Sequence, residues 1–455
     1  MIELKTKIHD RYSIEIKMGF VADEKKNHND FKVGMWIFVP AALDINSNAF
    51  TKNEFYRCIK SNVRLITPHF RLEDVASADS VVFRNVMEAP EEELEYRIKL
   101  LCAIVKSSLR DTLSELETCP KAERPQRIGI FVDRCESILD RFFALPDSSI
   151  KEYCGEYLCN LLASHLFKTL RFDTDSERIK ELLRKINSTR EQRGYPVISE
   201  DNPKANRDFV HRQSVLKKMV DSELYLKVPK KKDGVIIEQA SYSLAAGLAM
   251  LFATVVAWAF QRHFGNLTWP LFIALIISYM MKDRIKELMR FYFAHRLSYK
   301  YYDHKAKMSI HGKGIGWHKE GMDFIAINDV PEDIRKHRNT THLFDAEDNF
   351  INETVILYRK NVHLDKNSLE RNSLYDFEGV NDIVRLQVRP FIRKMDNPYQ
   401  TLMTLDESGE VRAVKCAKDY FINIILQYQY ADTTDYRRFR LTLNSEGIKA
   451  IDPVD

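Results

Sequence analysis

Two uncharged apolar runs, set almost back to back, constrain this chain more than any other feature. Ala240–Phe260, ASYSLAAGLAMLFATVVAWAF, contains no charged residue over 21 positions. As a helix it is about 31 Å long, the thickness of a bilayer's hydrocarbon core. After QRHFGN, a second run counted from Phe264 to Met281 covers 18 residues before Lys282. That is a short span, workable if the Lys282 ammonium snorkels to the headgroups. Pro270 stands near its start, where a missing N–H costs little. Trp258 and Trp269 flank the tip, and Tyr242 and Tyr279 sit at the opposite ends, as two interfacial belts would have them. Ala245, Ala249, Ala253 and Ala257 form a small-residue stripe for close helix packing, against the second helix or another copy of the chain. The competing reading, a hairpin buried in a large soluble domain, fits two adjacent runs of near-spanning length less well.

The flanking charges orient the hairpin. Lys230, Lys231 and Lys232 precede the first run, and Lys282, Arg284, Lys286 and Arg290 follow the second, while the tip offers only Arg262 and His263. By the positive-inside rule both ends face the cytosol, with these seven bases at anionic headgroups. The stretch 282–305 is patterned as a basic juxtamembrane helix, with seven Lys/Arg against three Asp/Glu. Its excess equals the +4 net charge of all 455 residues. No large part of the chain is therefore basic in bulk, which removes the electrostatic footprint of a nucleic-acid partner.

The rest of the chain reads as multidomain α+β. Residues 1–89 suggest a small α/β unit, with strands in DRYSIEIKMGF and FKVGMWIFV and a helix opened by the capping box Thr51-x-x-Glu54. From 90 to 225 the period turns helical: five amphipathic stretches predict a helical bundle. Residues 226–281 hold the transmembrane hairpin, with helices at about 240–260 and 264–281. Residues 306–455 predict a β-rich cytosolic domain, antiparallel, in which loops over 306–352 lead into alternating strands and a hairpin turning at Glu407–Gly409. The seven Cys lack a C-x-x-C pair and several fall on apolar helix faces, which suggests reduced buried thiols. The N-terminus has no apolar segment of the kind a cleaved signal carries.

Motifs that carry chemistry are scarce. His304, His311 and His318 recur every seven residues near Glu320 and the glycines of HGKGIGWH, and these four are the catalytic candidates. The segment lacks H-E-x-x-H or C-x-x-C spacing, so no metal is assigned, and HGKGIG lacks the phosphate-cradling G-x-x-x-x-G-K-[ST] pattern, so no cofactor is assigned. His165 lies on an apolar face and reads as a core histidine. The expected function is that of a membrane-anchored, cytosol-facing scaffold or regulatory protein, its partners the bilayer and a cytosolic protein. The bacterial inner membrane is the expected location. The alternatives are a membrane-tethered enzyme with a site near 303–320 and, more weakly, an oligomeric pore built from the hairpin.

Overall fold

In the computed structural model, which describes residues 2–172, 177–265, 268–298, 302–338 and 353–454, the chain is a mixed α+β protein with large antiparallel sheets. It divides into two units, one of Met1–Val63, Lys227–Asn372 and Asn381–Asp455, the other of Arg64–Leu226 and Ser373–Val380.

The first unit is built on an eight-stranded sheet. Its strands are β3 (His28–Pro40), β5 (Lys230–Lys232), β6 (His304–Ile310), β7 (Lys313–Ile325), β8 (Glu353–Asp365), β12 (Tyr420–Tyr430), β13 (Thr433–Asn444) and β14 (Gly447–Val454). The spatial order is β14-β13-β12-β3-β8-β7-β6-β5, with every neighbouring pair antiparallel. An N-terminal strand, β3, thus lies in the middle of C-terminal ones. A second sheet holds β1 (Ile2–Asp10), β2 (Ser13–Val21), β9 (Gly379–Gln387) and β4 (Ile59–Leu65) in the order β1-β2-β9-β4, and β10 (Tyr399–Leu405) and β11 (Val411–Ala417) form a separate ribbon. The loops expected over 306–352 are corrected in part. A two-residue turn joins β6 to β7, with His311 at φ 48° and Gly312 at φ 81°, the doubly left-handed geometry that matches strand twist. Positions 339–352 lie outside the described residues.

Both faces of the large sheet are covered, so its strands read as continuous apolar runs near the centre. Helix α1 (Lys52–Cys58) starts on Thr51, whose side chain accepts from the Glu54 amide while Glu54 returns to the Thr51 amide. Its Phe55 ring lies 5.7 Å from that of Tyr358 on one face. On the other face Trp36, Phe38, Val355, Leu357 and Ile425 pack with Val330 and Ile334.

The second unit is helical: α2 (Leu72–Ala76), α3 (Val81–Met87), α4 (Glu91–Thr118), α5 (Arg124–Phe143), α6 (Ser149–Thr169), α7 (Glu177–Gln192) and α8 (Pro203–Asp221). Each long helix turns a leucine- and isoleucine-rich stripe inward, and Cys102, Cys119, Cys135, Cys154 and Cys159 are free buried thiols in it.

The apolar runs form α9 (Val235–Phe264) and α10 (Trp269–Ser298), each of 30 residues, packed together. Two spans were expected. Among the described residues one helix, Gln239–His263, is long and apolar enough to cross a membrane. Residues 266 and 267 of the second run lie outside the described ones, and from Trp269 onward charges arrive too soon, at Lys282, Asp283, Arg284 and Lys286. The helix expected at 282–305 is the continuation of α10 to Ser298. Residues 299–301 are not among those described, and His304 opens β6 instead. Ala245 and Ala249 are buried and Ala253 and Ala257 half-buried. The Ser278 hydroxyl donates to the Ala253 carbonyl at 3.3 Å, and the Arg290 guanidinium lies 5.1 Å from the Tyr242 ring. That offset sets Lys282 level with about Ala249. At the base, β5 pairs with β6, and the Asp233 amide donates to the Asp303 carbonyl at 3.1 Å. The chain leaves the sheet for α9 and returns from α10 at one neck.

Candidate functional site

Alternation along β7 puts His318 and Glu320 on the same face of the sheet, and antiparallel register brings partners beside them. Glu320 stands opposite His304 on β6 and Lys360 on β8, and His318 opposite Ala306 and Val362. Three of the four catalytic candidates therefore gather in one place. Their seven-residue spacing corresponds to no pairing in the hairpin, since His304 faces Glu320 and His318 faces Ala306. His311 itself is exposed at the tip and is not brought into the cluster by the sheet.

Glu320, 1 % exposed, is held on both oxygens. Its Oε1 is ion-paired with Lys230 and lies 3.8 Å from His304 Nδ1, and its Oε2 accepts from the Tyr358 hydroxyl at 2.9 Å. Burial alone would raise its pKa, but the Lys360 and Lys230 charges and these hydrogen bonds hold it below the ordinary carboxylate value. Lys360, also 1 % exposed, pairs with the equally buried Asp382 on β9 and donates to the Ser61 hydroxyl on β4 at 2.8 Å. Ser61 in turn donates to Asp382 at 2.7 Å. Alongside, Tyr56 on α1 meets the His304 ring edge-on at 4.5 Å and donates to Asp303 at 2.8 Å. Asp303 also receives Lys52 at 3.0 Å and the Met322 amide at 2.8 Å. Burial, then Asp303, raises the Tyr56 hydroxyl.

Two imidazoles are incompletely paired among the described residues: His304 Nδ1 lacks a hydrogen-bond partner, and His318 lacks one on either nitrogen. His318 is 2 % exposed. Burial first, then Lys360 and Lys230, pushes its pKa down to about 2, so it is a neutral imidazole at every physiological pH. A general acid or base works best with a pKa near the operating pH. Glu320 and His318 are both displaced downward from that range. Among the described residues no group of His, Cys, Asp and Glu is arranged to hold a metal ion. What the arrangement does chemically is hold charge: two carboxylates and two ammonium groups neutralise one another under a sheet.

The remaining candidates are distributed otherwise. Lys230 is drawn into the Glu320 pair, whereas Lys231 and Lys232 are exposed on β5. On α10, Lys282 lies over the Tyr279 ring at 3.9 Å, Arg284 pairs with Glu287 at 3.3 Å, Arg290 is exposed and Lys286 half-buried. His165 is buried, as a core histidine, with Nδ1 2.9 Å from the Leu161 carbonyl. Lys360, Asp382, Tyr358 and Ser61 were not singled out in sequence. Lys360 carried a signal nonetheless, since it occupies the inward phase of β8 shared by Ile356, Val362 and Leu364. A lysine in an apolar phase announces a buried ion pair. No family model, no curated protein and no solved structure matches the chain.

Proposed function

We propose that this chain is a membrane-anchored interaction protein, held by α9 and α10 as a two-helix hairpin with both folded units on the cytosolic side of a bacterial inner membrane. The observation that carries the reading is the surface of the helix pair. Leu248, Leu251, Val255, Trp258, Phe272, Ile276 and Met280 are all exposed on it. An apolar patch of this extent is not left to water. The neck at β5 and β6 supports the hairpin topology, because it returns the chain to the point it left. The register also sets a depth. From the level of Lys282 to Phe264 is about 15 residues, or about 22 Å, which a snorkelling Lys282 extends toward a full core.

The buried cluster supports a structural role more than a catalytic one, since its acids are paired and Glu320 and Asp382 are closed to solvent. A site near 303–320 is therefore the less supported alternative, as is a pore, because the alanine stripe is already turned toward α10. The anchor is tested by alkaline carbonate extraction followed by labelling intact cells with a membrane-impermeant maleimide. The chain should stay in the pellet and Arg262→Cys should label, while the partly exposed native Cys416 stays unlabelled until the cells are opened. Release into the carbonate supernatant would sink the anchor, and labelling of Cys416 in intact cells would reverse the orientation.

A further inference from the structure

The helical unit holds a cleft of about 550 Å3, within the roughly 300–1,000 Å3 usual for small-ligand sites. Its charge is one-sided. Lys168, Arg171 and Arg190 line it together with Asn160, Asn206 and Gln213, and among the described residues no acidic one does. Lys168 and Arg171, one turn apart at the end of α6, are exposed and take part in no ion pair among the described residues. Arg190, on α7, is 6 % exposed. Among the described residues its guanidinium donates only to neutral acceptors: the Cys159 carbonyl at 3.1 Å, Asn160 Oδ1 at 2.9 Å and Asn187 Oδ1 at 2.9 Å. Its Nε has no partner. Glu156, the carboxylate whose field reaches it, is gripped by Arg212 at 2.7 and 2.8 Å. A buried cation left without a counterion is unfavourable until an anion arrives.

The rest of the lining says what that anion is attached to. Phe167, Ile198 and Val210 stand 58, 61 and 59 % exposed, with Phe209 behind them. Two of the three amides are already committed, Asn160 to Arg190 and Asn206 to both backbone groups of Ser199. Little remains to read the hydrogen-bonding edge of a base or sugar. We propose that this cleft binds a small organic anion, with one carboxylate or phosphate head on a hydrocarbon body. The head lies among Lys168, Arg171 and Arg190, and the body against Phe167, Ile198 and Val210.

The test uses the full chain in zwitterionic lipid nanodiscs and reads hydrogen–deuterium exchange by mass spectrometry. Octanoate or octyl phosphate should protect the segments 160–171 and 198–213, and the stronger of the two identifies the head. Octanol at equal concentration should not protect them. The double variant Lys168→Glu/Arg171→Glu, at exposed positions without ion pairs, should weaken binding at least tenfold. Protection by neither anion overturns the proposal, as does equal protection by octanol, an unchanged double variant, or protection confined to 239–298. Stronger protection by adenosine monophosphate than by octyl phosphate overturns the hydrocarbon body.

Discussion

His318 gives the sharpest prediction, because its two ring nitrogens are buried without partners. The folded pKa is depressed, from the ordinary 6.5 to about 2. The folded imidazole therefore stays neutral while the unfolded one takes up a proton below pH 6.5. The unfolded state binds more protons, so stability rises with pH, is fully present above 6.5 and is lost as pH falls from 6.5 toward 2. Between pH 7.5 and pH 5.0 that single proton costs the folded state about 2 kcal/mol. The positive groups opposing the charge are Lys360 and Lys230. The assay is urea unfolding in mild detergent with fluorescence from Trp36 and Trp317, which lie in the large sheet, in a background carrying Trp258→Phe and Trp269→Phe. His318→Leu should lose about 2 kcal/mol less than its parent between those two pH values. Groups common to both proteins cancel in the double difference. Removing unpartnered polar nitrogens should also leave the variant as stable as the parent or about 1 kcal/mol more stable at pH 7.5. Parallel pH curves for the two proteins would refute the reasoning, since His318 would then be hydrated or charged in the fold.

Lys360→Met leaves Asp382 buried without its counterion and should cost about 3–5 kcal/mol in the same denaturation assay; adding Asp382→Leu should restore most of that loss. Gly316→Ala places a Cβ 2.1 Å from the His363 carbonyl oxygen, so β7 and β8 must part locally, at a cost of about 3 kcal/mol measured by urea unfolding. The short doubly apolar part of the hairpin predicts sensitivity to bilayer thickness. Arg262→Cys should label from the far side in liposomes of 14-carbon chains and lose that labelling in liposomes of 22-carbon chains.

Which parts of the fold were legible in sequence follows from how local their causes are. The capping box at Thr51, the amphipathic helices between 91 and 221 and the alternation in β8, β12 and β13 each depend on neighbours within a few residues. Pairing of β3 with β8 and β12 depends on partners more than 300 positions away, and alternation carries no address for a partner strand. The segment 304–325 was misjudged because its glycines resemble loop composition. Gly316 is there to admit the His363 carbonyl and Gly312 to complete a two-residue turn, so both serve a strand pair. Within the site, three of four candidate residues were legible, but their chemistry was not. Whether Glu320 is a base or half of an ion pair depends on Lys230 and Lys360, which lie 90 and 40 residues away.

The neck joins the two features that sequence left separate. Lys230 is the first base of the lysine cluster before the hairpin, and it is also the cation on Glu320 Oε1. Asp303, two residues before Lys305 on the returning strand, binds Lys52 and Tyr56 of α1 as well as the Met322 amide. The segments at both ends of the helix pair are thus fastened to the sheet by side chains of opposite sign. Glu320 is the buried partner at this joint, so separating Lys230 from it would leave a carboxylate unpaired in a dry site. Lys230 and Asp303 thus tie both ends of the helix pair to one edge of the sheet, the arrangement that the proposed membrane anchor needs.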